Sequence, residues 1–298
     1  MKPKIKILDN IFPHGTSIGS GDLKIYPTRF SWHRGEALTQ NGNILDDIVF
    51  ITETSFNQVE ALPHKIKIGW ITEPPTTDDW LYGGKIYEEI KKPENYNKFT
   101  IIITYIKELL DISPKFVFHP SAGCWIYPDA WQVYPKTKYI SIIASKKTTT
   151  DGHKLRHEVI KRFGQYIDGV YGHGYKYIDS KLEGLKNYRY QIVIENERNP
   201  LFFSEKLIDC FATGTIPIYW GAQDIDQFFD KKGIIIFNDL NDLQEIFIAH
   251  PYLLSAEQYQ HKIKEVNKNL KLAKQYAIVE DWIWDNIITK IHEKTPLV

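Results

Sequence analysis

Two groups of polar residues in the second half of this chain lie at the end of a predicted strand and at the start of a predicted helix, where ligand sites form. Glu195 and Asn196 directly follow an apolar run, and after a short loop Ser204–Lys206 open a second apolar pattern. The free N–H groups and positive dipole at a helix start attract phosphate, and a lysine adds a full charge. Carboxylates nearby can accept hydrogen bonds from sugar hydroxyls or brace the cation.

Three elements must position these residues. The run Tyr190–Ile194 predicts a buried strand, and Ser204 is a suitable N-cap for a helix that ends at Gly214. Thr215–Trp220 predicts the next strand. In a sheet built from such units, ligands gather at the carboxyl ends of the strands, where Glu195 and Asn196 lie.

The rest of the chain repeats this alternation of short apolar runs with polar or helical segments, which predicts mainly parallel α/β sheets. The predicted strands are Ile5–Leu8, Ile48–Thr52, Ile66–Ile71, Thr100–Thr104, Lys115–Phe118, Tyr139–Ile143, Tyr166–Val170, Tyr190–Ile194, Thr215–Tyr219 and Gly233–Phe237. The proline-rich stretch His119–Lys138 predicts a link between two domains, 1–135 and 136–298. Ser255–Ala277 predicts one long surface helix, and Val279–Ile291 a helix that packs back on a lobe.

Composition excludes several classes of protein. The 298 residues contain 37 Lys plus Arg and 37 Asp plus Glu, so no overall field recruits nucleic acid or an anionic membrane. The two cysteines have no zinc-site spacing, and Cys210 has the place of a buried apolar residue. The first residues lack the apolar core of a signal peptide or membrane anchor. We therefore expect a soluble cytoplasmic protein without a membrane anchor.

The region Tyr139–Phe237 resembles the α-1,3/α-1,4-fucosyltransferases. The matching positions form the donor-binding signature of that family: Glu195-Asn196, Ser204-Glu205-Lys206, Gly214, Ile216-Pro217-Ile218 and Gly221. Upstream, Val170-Tyr171-Gly172 is similar to the family's "DVYG" segment. The resemblance implies a GT-B fold of two Rossmann-like lobes facing a cleft, an amino-terminal acceptor lobe and a carboxyl-terminal donor lobe, and inverting transfer of fucose from GDP-fucose to a glycan. The missing amino-terminal anchor suggests a bacterial or viral type of member.

The resemblance implies that the donor contacts Arg156, Glu195, Asn196, Phe202, Ser204, Glu205 and Lys206. Arg156 can equally be a solvated helix charge. Phe202 stands where many members have Tyr, so a hydroxyl that could contact the donor is absent, and another donor sugar stays open. Glu197 replaces the usual small polar residue and adds negative charge beside a diphosphate site.

The general base implied by the resemblance is an acid of the amino-terminal lobe. Glu73 corresponds best to that acid, because it follows an apolar strand and precedes two prolines, similar to the family's "E-x-P" sequence motif. The alternative is a polar residue at a strand end, and Glu53, Asp78 and Asp79 compete for the role. Acceptor specificity is expected to depend on the loops Ser31–Asn43 and Thr76–Gly84.

The segment Asp224-Ile225-Asp226 has the form of a metal-binding DxD motif, but its position after Gly221 favours a helix cap. We expect no essential metal, because two-lobed glycosyltransferases generally use Arg, Lys and helix dipoles on the diphosphate. The expected partners are a GDP-sugar and a glycan, with no nucleic acid. A transferase with another nucleotide sugar and a non-catalytic sugar-binding protein are the alternatives.

Overall fold

The computed structural model describes residues 2–9, 27–34, 47–75 and 85–294. They form two compact units. The described residues up to Gly123 belong to the first unit together with 278–294, and Cys124–Ala277 form the second. The predicted loop Thr76–Gly84 and most of Ser31–Asn43 lie outside the described residues.

Each unit contains one parallel sheet. The first has the order β2-β1-β3-β4-β5-β6, with strands β1 (Lys4–Leu8), β2 (Ser31–His33), β3 (Ile48–Thr52), β4 (Ile66–Trp70), β5 (Ile101–Thr104) and β6 (Phe116–Phe118). The second has the order β11-β10-β9-β7-β8, with β7 (Lys138–Ile143), β8 (Gly169–Tyr171), β9 (Tyr188–Ile194), β10 (Ile216–Trp220) and β11 (Ile235–Ile236). Every residue of β3 is buried, which is typical of a parallel strand covered on both faces.

Helices cover these sheets. The α-helices are α1 (Ile86–Ile90), α2 (Pro93–Tyr96), α3 (Lys107–Ile112), α4 (Asp151–Phe163), α5 (Glu205–Ala212), α6 (Leu240–Gln244), α7 (Ala256–His261), α8 (Ile263–Ala273), α9 (Val279–Ile283) and α10 (Thr289–Lys294). The 3₁₀ turns are Glu53–Ala61, Pro128–Ala130, Gly164–Tyr166, Lys181–Gly184, Ile225–Gln227, Lys231–Gly233, Pro251–Leu254 and Lys274–Tyr276, and π-helical turns cover Glu245–Ala249 and Trp284–Ile288.

All the predicted strands are present, and most differ from the prediction by one or two residues at an end. The strand predicted at Tyr166–Val170 is observed at Gly169–Tyr171, because Gly164–Tyr166 form a 3₁₀ turn. Only Ile235–Ile236 of the strand predicted at Gly233–Phe237 form a strand, because a 3₁₀ turn covers Lys231–Gly233. The one addition among the described residues is β2, which lies in a predicted loop because three residues without an apolar run give no strand pattern. The predicted single helix Ser255–Ala277 is two helices, α7 and α8, separated at Lys262, whose ψ of 8° departs from the helical value.

The boundary between the units differs from the predicted one near Pro135. The segment before Pro135 already contacts the second unit: the Trp125 N–H donates to the Asp209 carboxylate at 2.6 Å, and the Gln132 N–H donates to the Ala212 carbonyl at 3.1 Å. The composition of this proline-rich segment predicts a link, but the hydrogen bonds of its backbone place it in the second unit.

The last helices also differ from the predicted assignment to the carboxyl-terminal lobe. Ile283, Ile287 and Ile288 are buried in one apolar core with Phe50 and Ile68 of the first sheet. The helical spacing of these apolar residues is evident in the sequence. Which of the two sheets they cover depends on tertiary contacts.

Gly214 ends α5 as predicted, and the position has no room for a side chain. Its φ is +68°, and an added Cβ would lie 2.9 Å from the Val133 Cα. The Tyr259 hydroxyl donates to the Gly214 carbonyl at 2.8 Å, so the backbone here is also held by a buried tyrosine.

We expect Gly214→Ala to lower the free energy of unfolding by about 1–2 kcal/mol or more, because a Cβ is strained at positive φ and contacts Val133. Gly164→Ala is the matched control: its φ is −54° and nothing lies within 4 Å of an added Cβ. The control should be neutral or more stable by about 0.5 kcal/mol. Urea denaturation measures both, and equal effects of the two substitutions would contradict the argument.

Candidate functional site

A cavity of about 440 Å³ lies at the carboxyl edge of the second sheet. Its walls include residues at the ends of β7 and β9, between which the strand order reverses, and this is where open α/β sheets bind ligands. The charged side chains among its described lining are four basic residues, Lys147, Arg156, Lys181 and Lys206, and two acidic ones, Glu205 and Asp209. The cavity therefore has an excess of two positive charges.

Helix α4 contacts the end of β9 through a glycine. The Gly152 N–H donates to the Asn196 carbonyl at 3.0 Å, and an added Cβ would lie 1.8 Å from the Glu195 carbonyl oxygen. No other residue type fits, because both nearest groups are backbone. This close approach directs the start of a 13-residue helix towards the cavity.

Arg156, one turn into α4, is 5% exposed, so it is not a solvated helix charge. Its Nε donates to the Ile194 carbonyl and its Nη2 donates to Asn196 Oδ1, each at 3.0 Å. Burial lowers the pKa of Arg156, although the negative charges of Glu195 and Glu205 act in the opposite direction. Its Nη1 makes no hydrogen bond within the described part of the chain, and Arg156 lines the cavity. A fixed guanidinium with a free edge is suited to an anion.

Ser204 caps α5 as predicted, and Glu195 fixes the cap. Ser204 Oγ accepts from the Lys206 N–H at 3.4 Å and donates to Glu195 Oε2 at 2.6 Å, while the Ser204 N–H donates to Glu195 Oε1 at 2.9 Å. Glu195 is fully buried, and burial raises its pKa although Lys206 opposes the shift. Glu195 thus supports the turn from behind and does not line the cavity.

Four charged side chains form a network on the cavity wall. Lys181 Nζ lies 3.3 Å from Glu205 Oε1 and 3.0 Å from Asp209 Oδ2, and Lys206 Nζ lies 3.2 Å from Glu205 Oε1. Burial would raise the pKa of Glu205, but Lys206 and Lys181 outweigh it and hold that pKa below its usual range. Burial raises the pKa of Asp209 despite the nearby Lys181. Lys181 also lies 4.4 Å from the ring centroid of Trp125.

The predicted donor residues therefore divide into two sets. Arg156, Asn196, Glu205 and Lys206 line the cavity. Glu195, Phe202 and Ser204 are buried and lie outside the described lining. The Phe202 carbonyl accepts from the Tyr219 hydroxyl at 3.4 Å, which places this residue against the strand β10.

Glu73 lies in the first unit, just beyond the end of β4, and is partly exposed. Its N–H donates to Glu53 Oε1 at 2.9 Å, and its carbonyl accepts from the Tyr87 hydroxyl at 3.0 Å. The competitor Glu53 is only 3% exposed and also accepts from the Thr72 N–H and hydroxyl, at 3.0 and 2.9 Å. Burial raises the pKa of Glu53. Glu53 therefore braces the loop that carries Glu73.

Of the remaining predicted candidates, the structure describes Asp224 and Asp226. Asp78 and Asp79 lie outside the described residues. Asp226 pairs with Lys231 at 3.0 Å, and Asp224 precedes a 3₁₀ turn without a side-chain cap. The described residues contain no group of three or more His, Cys, Asp or Glu that could hold a metal ion. Nor does any described helix combine the length and apolarity needed to cross a membrane.

Comparison with known proteins agrees with this geometry. Residues 133–290 match the model of the carboxyl-terminal region of glycosyltransferase family 10 (fucosyltransferase), which is more than half of the chain. The chain belongs to glycosyltransferase family 10. The resemblance predicted from the signature around Lys206 is thereby confirmed.

One relative of this family 10 protein is the α-(1,3)-fucosyltransferase FucT of Helicobacter pylori, 31% identical over 76 residues. That match covers 26% of this chain and 16% of the bacterial enzyme's length. A crystal structure of an α1,3-fucosyltransferase with GDP has a TM-score of 0.52 at 16% identity, covering 94% of this chain and 93% of the other. The Anabaena protein HepE, in complex with UDP and glucose, has a TM-score of 0.58 at 8% identity, covering 83% and 78%. The predicted GT-B fold class is confirmed by these neighbours.

Sequence reasoning missed several cavity residues of the family 10 protein. Lys181 follows Ser180, which with Glu183 forms a capping box, and that Ser-x-x-Glu pattern could have indicated the turn. Nothing in the sequence indicated that Lys181 returns to meet Asp209, because that contact joins separate elements. Gly152 and His153 were also missed, as both lie in a polar stretch without a recognisable motif.

We expect Lys181→Met to lower the free energy of unfolding by about 3 kcal/mol or more, because Asp209 and Glu205 lose the cation that compensates their burial. Adding Asp209→Asn should restore part of the loss. Lys107→Met, which removes an exposed pair with Asp111, should cost about 0.5 kcal/mol or less. Urea denaturation at neutral pH measures all three, and a double variant that is less stable than Lys181→Met would contradict the argument.

Proposed function

We propose that this protein is an inverting fucosyltransferase that transfers fucose from GDP-fucose to a glycan hydroxyl, forming an α-1,3-type linkage. The observation that carries the proposal is the excess of two positive charges in the cavity at the sheet's switch point, which matches the two negative charges of a nucleotide-diphosphate sugar. The relatives agree with it, since one is named an α-(1,3)-fucosyltransferase and a structural neighbour was crystallised with GDP.

The leaving group in this reaction is GDP, whose terminal phosphate gains negative charge as the bond to the sugar breaks. Arg156 presents its free Nη1 and Lys206 its ammonium group to the cavity, so both can stabilise that charge. The first N–H groups of α5 add a positive dipole end. Because these groups supply positive charge at the phosphates, we propose that no metal ion is required.

Inversion requires a base that removes the proton from the acceptor hydroxyl while its oxygen attacks the anomeric carbon and the bond to GDP breaks. We assign this role to Glu73. Its backbone is fixed on both sides by Glu53 and Tyr87, and the residue is partly exposed, whereas Glu53 is buried. Glu53 is a weaker candidate, because its Oε1 already accepts three hydrogen bonds and it is buried.

We expect calorimetric titration to show binding of GDP and GDP-fucose that is insensitive to a chelator and stronger than that of GDP-mannose or UDP-glucose. Lys206→Ala should weaken GDP binding about tenfold or more, because a charge-assisted hydrogen bond contributes about 1.5–3 kcal/mol. Lys154→Ala is the matched control, since its side chain is 65% exposed on α4. Stronger binding of another nucleotide sugar would show that GDP-fucose is not the donor. Loss of GDP binding in EDTA would contradict the proposal that no metal ion is required.

We expect Glu73→Gln to lower kcat for fucose transfer about 10²- to 10⁴-fold, as removal of a general base does, while GDP affinity stays within about twofold. Glu108→Gln, at a 66% exposed position of the same unit, should leave both quantities unchanged. Steady-state kinetics with an acceptor panel and calorimetry make the comparison. If Glu73→Gln retains full turnover, the general base is another acidic residue. If the wild type binds the donor but does not turn it over, a non-catalytic binding protein is favoured.

A further inference from the structure

His153 is the third residue of α4, and its side chain takes part in capping that helix. The Thr150 N–H donates to His153 Nδ1 at 3.3 Å, and the Thr150 hydroxyl lies 2.8 Å from the same nitrogen. In return, Thr150 Oγ1 accepts from the His153 N–H at 3.3 Å. The Thr149 hydroxyl is also within reach of Nδ1, at 3.1 Å. The hydrogen bonds of the helix cap therefore occupy Nδ1 of the His153 ring.

This cap determines where the imidazole proton is. A backbone N–H can only donate, so Nδ1 must accept from Thr150, and the neutral ring then carries its proton on Nε2. Burial is the main cause that lowers the pKa of His153 to about 4, and the charges of Arg156, Lys147, Lys206 and His157 act in the same direction. The ring is thus neutral near pH 7, with Nε2–H as a donor.

That donor meets no acceptor among the residues that the structure describes. His153 is 8% exposed and lines the cavity, and its Nε2 makes no hydrogen bond within the described part of the chain. An N–H of a cavity-lining residue that has no acceptor among the described residues is available to a ligand bound in that cavity. Arg156 and Lys206 line the same cavity, and their positive charges favour an anionic acceptor.

We propose that His153 is a further ligand-binding residue, whose Nε2–H donates a hydrogen bond to a phosphate oxygen of the nucleotide diphosphate. The inference rests on the proposed use of this cavity for a GDP-sugar. Arg156 and Lys206 supply charge, whereas the neutral imidazole supplies a directed donor whose orientation is fixed by Thr150. The hydrogen bond to phosphate would therefore exist only when the first turn of α4 is correctly capped.

Two substitutions separate capping from ligand binding. In His153→Asn, the shorter amide can still accept from the Thr150 N–H but does not reach the position of Nε2. In His153→Gln, the longer amide can accept from the cap and also place an N–H near the position of Nε2, and glutamine is a usual capping-box residue at this position. Unfolding temperatures of both variants equal to that of the wild type would verify that the cap is retained in both.

We expect His153→Asn to weaken GDP binding about tenfold or more in calorimetry, while His153→Gln stays within about threefold of the wild type. Guanosine, which lacks phosphate, should bind equally to all three proteins. In ¹⁵N-histidine spectra at pH 7, the His153 ring should be the Nε2–H tautomer, and its Nε2 signal should shift with GDP but not with guanosine. Unchanged GDP affinity in His153→Asn, or no shift of Nε2 with GDP, would overturn the inference.

Inorganic pyrophosphate distinguishes failure of this inference from failure of the proposed function. If the wild type binds GDP and His153→Asn binds it equally well, the His153 assignment fails and the GDP-sugar proposal stands. If the wild type binds pyrophosphate but not GDP, and His153→Asn loses pyrophosphate binding, the nucleotide assignment fails and the anion contact of His153 stands. Binding of neither ligand would overturn both.

Discussion

The contact between the first turn of α4 and the end of β9 is the constraint on which the cavity depends. Because Gly152 has no side chain, the backbone of α4 comes close to the Glu195 and Asn196 carbonyls, and the Gly152 N–H donates directly to the Asn196 carbonyl. That approach brings Arg156 within reach of Ile194 and Asn196, so the guanidinium is fixed by backbone and amide oxygens rather than by a carboxylate. Its charge is therefore not cancelled by a direct ion pair with any described carboxylate, and it is available to an anion.

The cavity proposed to bind an anion also contains two carboxylates, Glu205 and Asp209, and the network around Lys181 compensates their charge. Glu205 lies between two lysines, and Asp209 accepts from Lys181 and from the Trp125 N–H, so the negative charges are compensated inside the protein. These contacts join three separate segments of the second unit. The same groups thus order the cavity wall and leave a net positive charge for the ligand.

The two units use buried glutamates in the same way. In the second unit, Glu195 accepts from the N–H and hydroxyl of Ser204, and in the first unit, Glu53 accepts from the N–H and hydroxyl of Thr72 and from the Glu73 N–H. Each carboxylate directly follows a buried strand. Glu195 fixes the start of α5, the helix that follows its own strand, whereas Glu53 fixes the loop that follows the neighbouring strand β4. Buried carboxylates that accept several N–H and O–H bonds are suited to orienting a loop, whereas partly exposed neighbours remain accessible to ligands.

The sequence by itself determined the parallel α/β class, nearly all strands, the Ser204 cap and the Gly214 stop, because apolar periodicity and capping are local properties. It also determined the signature that includes Lys206. Only the tertiary structure decided that Glu195 faces the cap and not the cavity, that the terminal helices pack on the first sheet, and that Lys181 and His153 reach the cavity. Those outcomes depend on contacts between distant segments, and neither residue spacing nor propensity encodes which buried partner a side chain meets.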